Sequence, residues 1–314
     1  MTISYIADTL VTNLRRAGKL PPHDQAATAA ALLDKLNTEQ RLYLTRVLQS
    51  VREQYRQAYY DITTTAALKR YAIPARAVAA GIVAVAKINS DASRTPLNFF
   101  SDYRVQESNT PTAGDCYLEG NELVLFQDPG AITLRVTYNR RLSELVLEAS
   151  ARAITAINTG TKTITVAASP STFTSRTTMD LIKGTPHFDT YGIDLACSSI
   201  GASATSIVFT ATLPTSLAVG DYVALPGESP VCNAPWEMHD LLVHKAAHAW
   251  LLERGDPRAG SVAKLLWGED GKGGMEADAL SLLTPRVQTD SKPLINFNAP
   301  GWSRWRGRWR WPTS

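Results

Sequence analysis

The densest chemistry in the chain lies at its C-terminal end, which reads Trp302-Ser303-Arg304-Trp305-Arg306-Gly307-Arg308-Trp309-Arg310-Trp311-Pro312. Four of the seven tryptophans are here, and Arg304, Arg306, Arg308 and Arg310 alternate with Trp305, Gly307, Trp309 and Trp311. In an extended chain successive side chains point to opposite faces, so one face is guanidinium and the other mostly indole. A helix would scatter both kinds around its axis, and Gly307 would weaken it. The expectation is a segment that adds as a strand to a partner or lies in a groove on it. Tryptophan and arginine are favoured at binding hot spots, and burying one tryptophan contributes roughly 1.5–3 kcal/mol or more from apolar area. The candidate partner-binding residues are therefore Trp302, Arg304, Trp305, Arg306, Arg308, Trp309, Arg310 and Trp311. Arginine makes paired bonds to carboxylates and to phosphates. The same alternation suits single-stranded nucleic acid, with bases on indoles and phosphates on arginines. The bland alternative is a solvated tail.

Other constellations are weaker. His239, His244 and His248 fall on one expected helix, with His244 and His248 on one face and Cys232 nearby, a set that zinc could use. The run His244-Lys245-Ala246-Ala247-His248 lacks the glutamate of the metalloprotease pattern, so helix-surface or subunit-contact histidines are the default reading. Gly268–Gly274 lacks the spacing and Gly-Lys-Ser/Thr ending of a phosphate loop and reads as a turn. Asp61, Asp180, Asp189, Asp194 and Asp221 form no recognisable acid pair, and no serine sits in a nucleophile elbow. These readings point away from an enzyme, and no cofactor or metal is expected.

With 314 residues, 44% of them hydrophobic, the chain can bury a real core in one large or two medium domains. The formal charge is +3; the four arginines after Gly301, with no acid among them, leave the rest of the chain at −1. That asymmetry is typical of an interaction tail. Three cysteines (Cys116, Cys197, Cys232), far apart and odd in number, read as free thiols in a reducing compartment. Met1–Leu10 lacks the basic start and apolar run of a signal peptide, and no stretch reaches the roughly 18 apolar residues of a membrane span.

The positioning elements follow from hydrophobic period. Ile3, Ile6, Ala7, Leu10 and Leu14 predict a first helix, stopped by Gly18 and Pro21-Pro22. A second is expected from His23-Asp24 to Leu36. Asn37, three residues before Gln40, reads as the cap of a third running to about Asp61, with an apolar stripe of Leu44, Val47, Leu48, Val51, Tyr55 and Ala58. Then the period changes. Strands are expected around Ile82–Ile88 and at Leu97–Tyr103, Glu122–Gln127 and Ile132–Tyr138, with turns at Asn89–Asp91, Gly120-Asn121 and Asp128-Pro129-Gly130. From Ala153 to Gly227 serine and threonine abound and charges thin out. There Ile154–Ile157 and Thr163–Val166 form a hairpin, followed by strands at Ile193–Cys197, Ser206–Thr210 and Asp221–Leu225. Helices return from Pro235-Trp236-Glu237 to Arg254, after Asp256-Pro257, and at Met275–Leu283. The fold class is α+β: a helical bundle with a small antiparallel sheet, an inserted all-β module and an extended C-terminal tail. The division is 1–152 plus 229–288 for the core, 153–228 for the inserted module and 289–314 for the tail.

In this order of elements the chain resembles the longer head-to-tail adaptor (connector, head-completion) proteins of tailed bacteriophages. The matching segments are Tyr71–Ala77, Val136–Arg141, Gly192-Ile193-Asp194, Gly220–Pro230 and Leu283–Gln288. The resemblance implies a virion structural protein of the neck, assembled in the host cytoplasm. It implies a ring, usually of twelve copies, under the portal protein, with the C-terminal segment engaging the portal. DNA would pass through the lumen without sequence-specific binding, and tail or nozzle/fibre proteins would meet the outer or lower face. One departure is Gly268–Gly274, which interrupts what is a continuous charged helix in that family. The alternative reading is a nucleic-acid-binding protein acting through its basic aromatic tail. A third, a carbohydrate-binding or hydrolytic tail component, would need an acidic pair that is not visible.

Overall fold

The computed structural model describes residues 6–51, 57–100, 115–128, 130–168, 170–173, 177–184, 190–200, 205–269, 271 and 273–283. Apolar cores fill a helical bundle, a pair of sheets and a closed barrel, and a smaller cluster of Ala151, Ile182, Tyr222, Ala224 and Val231 packs barrel strands against the flanking chain.

The bundle begins with α1 (Ala7–Ala17), whose Ala7, Leu10, Val11 and Leu14 are buried at the expected spacing. The second helix, α2 (Ala29–Glu39), starts later than the expected His23-Asp24. The Thr28 hydroxyl caps it by accepting from the Ala31 N–H, while residues 24–27 form a turn in which Asp24 accepts from Ala26. Asn37 is not a cap either. The helix continues through a π turn (Gln40–Leu44) into α3 (Thr45–Val51), burying Leu36, Leu44, Val47 and Leu48. It does not reach Asp61. Residues 57–63 form β1 (Gln57–Thr63) instead, because Tyr59, Tyr60, Ile62 and Thr63 are strand formers and a long partner strand is available. Val51 and Tyr55 of the expected stripe have side chains outside the described residues, and Ala58 belongs to the strand.

Next come β2 (Arg70–Ala72), β3 (Ala77–Ile88), β4 (Arg94–Pro96), β5 (Phe99–Phe100), β6 (Cys116–Glu119), β7 (Glu122–Leu125) and β8 (Thr133–Arg140). They make two four-stranded sheets, not one. The first, β1-β8-β3-β4, is antiparallel; the second, β2-β7-β6-β5, is antiparallel except for the parallel β5–β6 pair. The expected strand Leu97–Tyr103 shrinks to Phe99–Phe100, with residues 101–103 outside the described residues. Both sheets contribute to one core of Tyr71, Val85, Leu123, Leu125, Leu134, Val136 and Tyr138.

After the short β9 (Glu144–Leu145) the chain builds β10 (Arg152–Asn158), β11 (Thr163–Val166), β12 (Thr178–Ile182), β13 (Thr190–Ile200), β14 (Ser206–Phe209) and β15 (Tyr222–Ala224). These close into a barrel in the order β10-β11-β14-β13-β12-β15. Register shifts in β10, β12 and β13 supply the bends that closure requires. Ile154, Ile164, Phe173, Met179, Leu181, Ile207, Phe209 and Val223 fill it. At the Gly184–Gly220 approach a Cβ on residue 184 would lie 2.1 Å from the Gly220 carbonyl oxygen, so only glycine fits.

The chain leaves the barrel through β16 (Glu228–Ser229), which pairs in parallel with β9. It then returns to the bundle as a short turn of helix (Trp236–Met238), α4 (His239–Glu253), α5 (Arg258–Trp267) and α6 (Gly274–Leu283). Gly255 ends α4 with a positive φ of 64°, and Asp256 accepts from the Arg258 N–H at the start of α5. The structure is thus mixed α and β. No helix among the described residues is long and apolar enough to cross a membrane.

Candidate functional site

The eight tail residues proposed from sequence, Trp302, Arg304, Trp305, Arg306, Arg308, Trp309, Arg310 and Trp311, lie outside the described residues. The structure instead assembles a polar junction where bundle, sheets and barrel meet.

Its hub is Arg76, at the entry to β3. One guanidinium nitrogen lies 2.6 Å from Asp180 of β12, and the other donates to Asp194 of β13 at 3.0 Å. The Asp180 side chain is 0% exposed, so burial pushes its pKa up while Arg76 pulls it back. It also accepts from the Asp194 N–H (2.9 Å) and the Gly227 N–H (3.2 Å). On the other side of the hub the Arg141 N–H donates to the Arg76 carbonyl (2.8 Å) and the Glu144 N–H to the Gly227 carbonyl (2.7 Å). Asp180 and Asp194, which show no pairing pattern in sequence, are therefore gathered by an arginine into a brace between sheet and barrel. Asp221 has a similar local duty, accepting from Gly184 and Ala218 N–H groups.

The bundle joins the junction through two amides. Asn37 donates to the Leu145 carbonyl (2.9 Å) and accepts from the Leu145 N–H (2.7 Å), acting as an added strand residue beside β9. Gln40 donates to the Ser143 carbonyl (2.7 Å) and accepts from the Cys232 thiol (3.4 Å). Asn233 donates to the Ser143 hydroxyl (3.1 Å). These pairs leave a cleft of about 430 Å³. Asp34, Asn37, Gln40, Arg41 and Thr45 form one wall; Arg141–Glu144, Ala75, Arg76, Val78 and Gly227 form the other.

The histidines are dispersed. His239 is buried with Nε2 against the Ala234 carbonyl, and burial lowers its pKa. His244 Nδ1 faces the Asp240 carbonyl of its own helix, and His248 packs edge-on to Trp267 at 5.1 Å. Cys232 is engaged by Gln40, and burial pushes its thiol up to about 12. Among the described residues no group of three potential ligands could hold a metal ion. All three cysteines are free. Between α5 and α6, Gly268, Gly271, Gly273 and Gly274 all take positive φ, and the turn is spanned by Trp267 Nε1 donating to Glu276 at 2.7 Å. Lys245 lies over the rings of both Tyr43 (5.2 Å) and Trp267 (4.8 Å).

Sequence reasoning missed Arg76, Asn37 and Gln40 as site residues. For the two amides the available signal was the Asn37–Gln40 spacing, read as a local cap when both reach over a hundred residues away; Arg76 lay within the segment Tyr71–Ala77 with no role assigned to it. Comparison with protein-family models yields no match, and comparison with curated proteins yields none either.

Proposed function

We propose that the chain is a structural head-to-tail adaptor of a tailed phage. It assembles as a ring, of twelve copies in the commonest arrangement, beneath the portal protein in the virion neck after synthesis in the host cytoplasm. The observation that carries this reading is the meeting of four resemblance segments at one junction. Arg76, Arg141, Asp194 and Gly227 come from Tyr71–Ala77, Val136–Arg141, Gly192–Asp194 and Gly220–Pro230, and all bond to Arg76 or its partner Asp180. Segments scattered over 160 positions but converging on one brace are what a shared architecture would retain.

In this reading the bundle makes ring contacts, the inserted module 153–228 faces tail or nozzle/fibre proteins, and the extended tail 289–314 clasps the portal with its indole face. DNA passes through the lumen without sequence-specific binding. The test is electron microscopy of the purified chain mixed with its portal. A ring stacked on the portal, lost on deletion after Pro300, is the expected result; a chain that leaves the portal bare overturns the proposal.

The Trp/Arg alternation also favours a second reading, nucleic-acid binding by the tail. Binding through phosphates weakens steeply with salt, whereas indole-dominated docking persists, so a salt titration of the complex separates the two.

A further inference from the structure

Three local irregularities of the backbone converge on the junction cleft. The helix wall carries the π turn Gln40–Leu44, a feature concentrated at functional sites. The sheet wall carries a break in the β3–β8 register between Ala77 and Ile82, which bends that strand. Gly227 lines the cleft with a φ of +86°, a conformation that side chains disfavour. The opening, about 430 Å³, is within the range of roughly 300–1,000 Å³ usual for ligand sites.

Its charges are distinctive. Arg76 is already committed to Asp180 and Asp194. Arg41 and Arg141 are exposed, line the cleft and make no ion pair among the described residues. Asp34 and Glu144 also line it and are equally unpaired. The rim thus offers two free guanidinium groups and two free carboxylates. A nucleic-acid backbone, anionic throughout, would be repelled by Asp34 and Glu144. A peptide suits both signs: its carboxylate can take paired bonds from arginine, and its N–H or cationic groups can meet the acids.

We propose that this cleft binds an extended, carboxylate-bearing peptide segment of another polypeptide, with the carboxylate held between Arg41 and Arg141. This site is independent of the adaptor reading and would stand if that reading failed.

The experiment uses the full chain and a synthetic array of hexapeptides carrying Glu, Gln, Lys or Ala at a central position on varied flanks, followed by fluorescence anisotropy on the binders. Saturable binding enriched in the Glu series is expected, weakened about tenfold or more by Arg41→Ala with Arg141→Ala. Both arginines are exposed, so the thermal midpoint of the double variant should match the parent; if it does not, the Glu-against-Gln contrast on the parent chain carries the test. Equal binding of Glu and Gln peptides overturns the carboxylate contact. Displacement by inorganic phosphate at the peptide's own concentration range overturns the peptide in favour of a free anion. No binding at millimolar peptide overturns the site altogether.

Discussion

The barrel and the bundle bury apolar side chains in opposite ways. The barrel closes within one stretch, Arg152 to Ala224, and the fully packed residues of its main core, Ile154 to Val223, all fall in that stretch. The bundle core takes Ala7 and Leu10 from one end of the described chain and Ala279 and Leu283 from the other. Short closures cost little conformational entropy and long ones more. The barrel is therefore a unit that can form early, while the bundle must wait until both flanks return. Apolar packing serves each core and continues at the barrel's margin, where Ile182, Tyr222 and Ala224 cluster with Ala151 and Val231, but the seams also carry polar bonds: Arg76 joins sheet to barrel, and Asn37 and Gln40 join bundle to β9. Directional bonds fix relative placement where non-directional burial would allow sliding.

Truncating the barrel core should have the largest effect. Phe173 is fully buried, and Phe173→Ala is expected to cost roughly 3–5 kcal/mol. Peptide-resolved hydrogen exchange should show amides of 152–224 opening while those of α4 keep their protection. Equal acceleration of α4 would break the contrast and make the two cores one cooperative unit.

Removing the hub comes next. Arg76→Met leaves Asp180 buried without its cation, at about 3 kcal/mol. Because burial raises the Asp180 pKa and the loss of Arg76 raises it further, the variant's deficit should be greatest near neutral pH, where the carboxylate is ionised, and shrink in acid as it takes up a proton. Chemical denaturation at pH 7 and pH 4.5 checks this; a deficit that grows in acid contradicts the assignment.

Asn37→Ala removes two bonds to Leu145 and is expected to cost about 2 kcal/mol, read as a lower thermal midpoint. A change near zero would mean that the seam is held by packing alone.

His239 sharpens the bundle side by pH. Its folded pKa lies below the ordinary 6.5, so the unfolded chain binds a proton more readily and stability is lost as pH falls below that value. His239→Asn should flatten the stability profile between pH 7 and pH 5; an unchanged slope would remove His239 as its source. The smallest effect belongs to the sheet-surface pair Asp61–Arg135, in which Asp61 is exposed and Arg135 half-buried. Disrupting it with Asp61→Asn should cost at most about 1 kcal/mol in urea unfolding, less in high salt.

By itself the sequence determined the elements whose signal is local. The period of Leu10 and Leu14 sets α1, the Asn158-Thr159-Gly160-Thr161 turn sets the β10–β11 hairpin, and Gly255 with Asp256-Pro257 divides α4 from α5. It also marked the Trp/Arg tail, because alternation is visible without a fold. What only the tertiary structure decided depends on distant partners. Residues 57–63 became a strand because β8 was there to pair with them, although a helical stripe runs into Ala58. Asn37 and Gln40 became clamps because Leu145 and Ser143 lie within reach of their amides. Arg76, Asp180 and Asp194 became a brace because the buried Asp180 carboxylate needs a cation, and the sequence keeps that cation 104 positions away, with the partly exposed Asp194 118 positions from it.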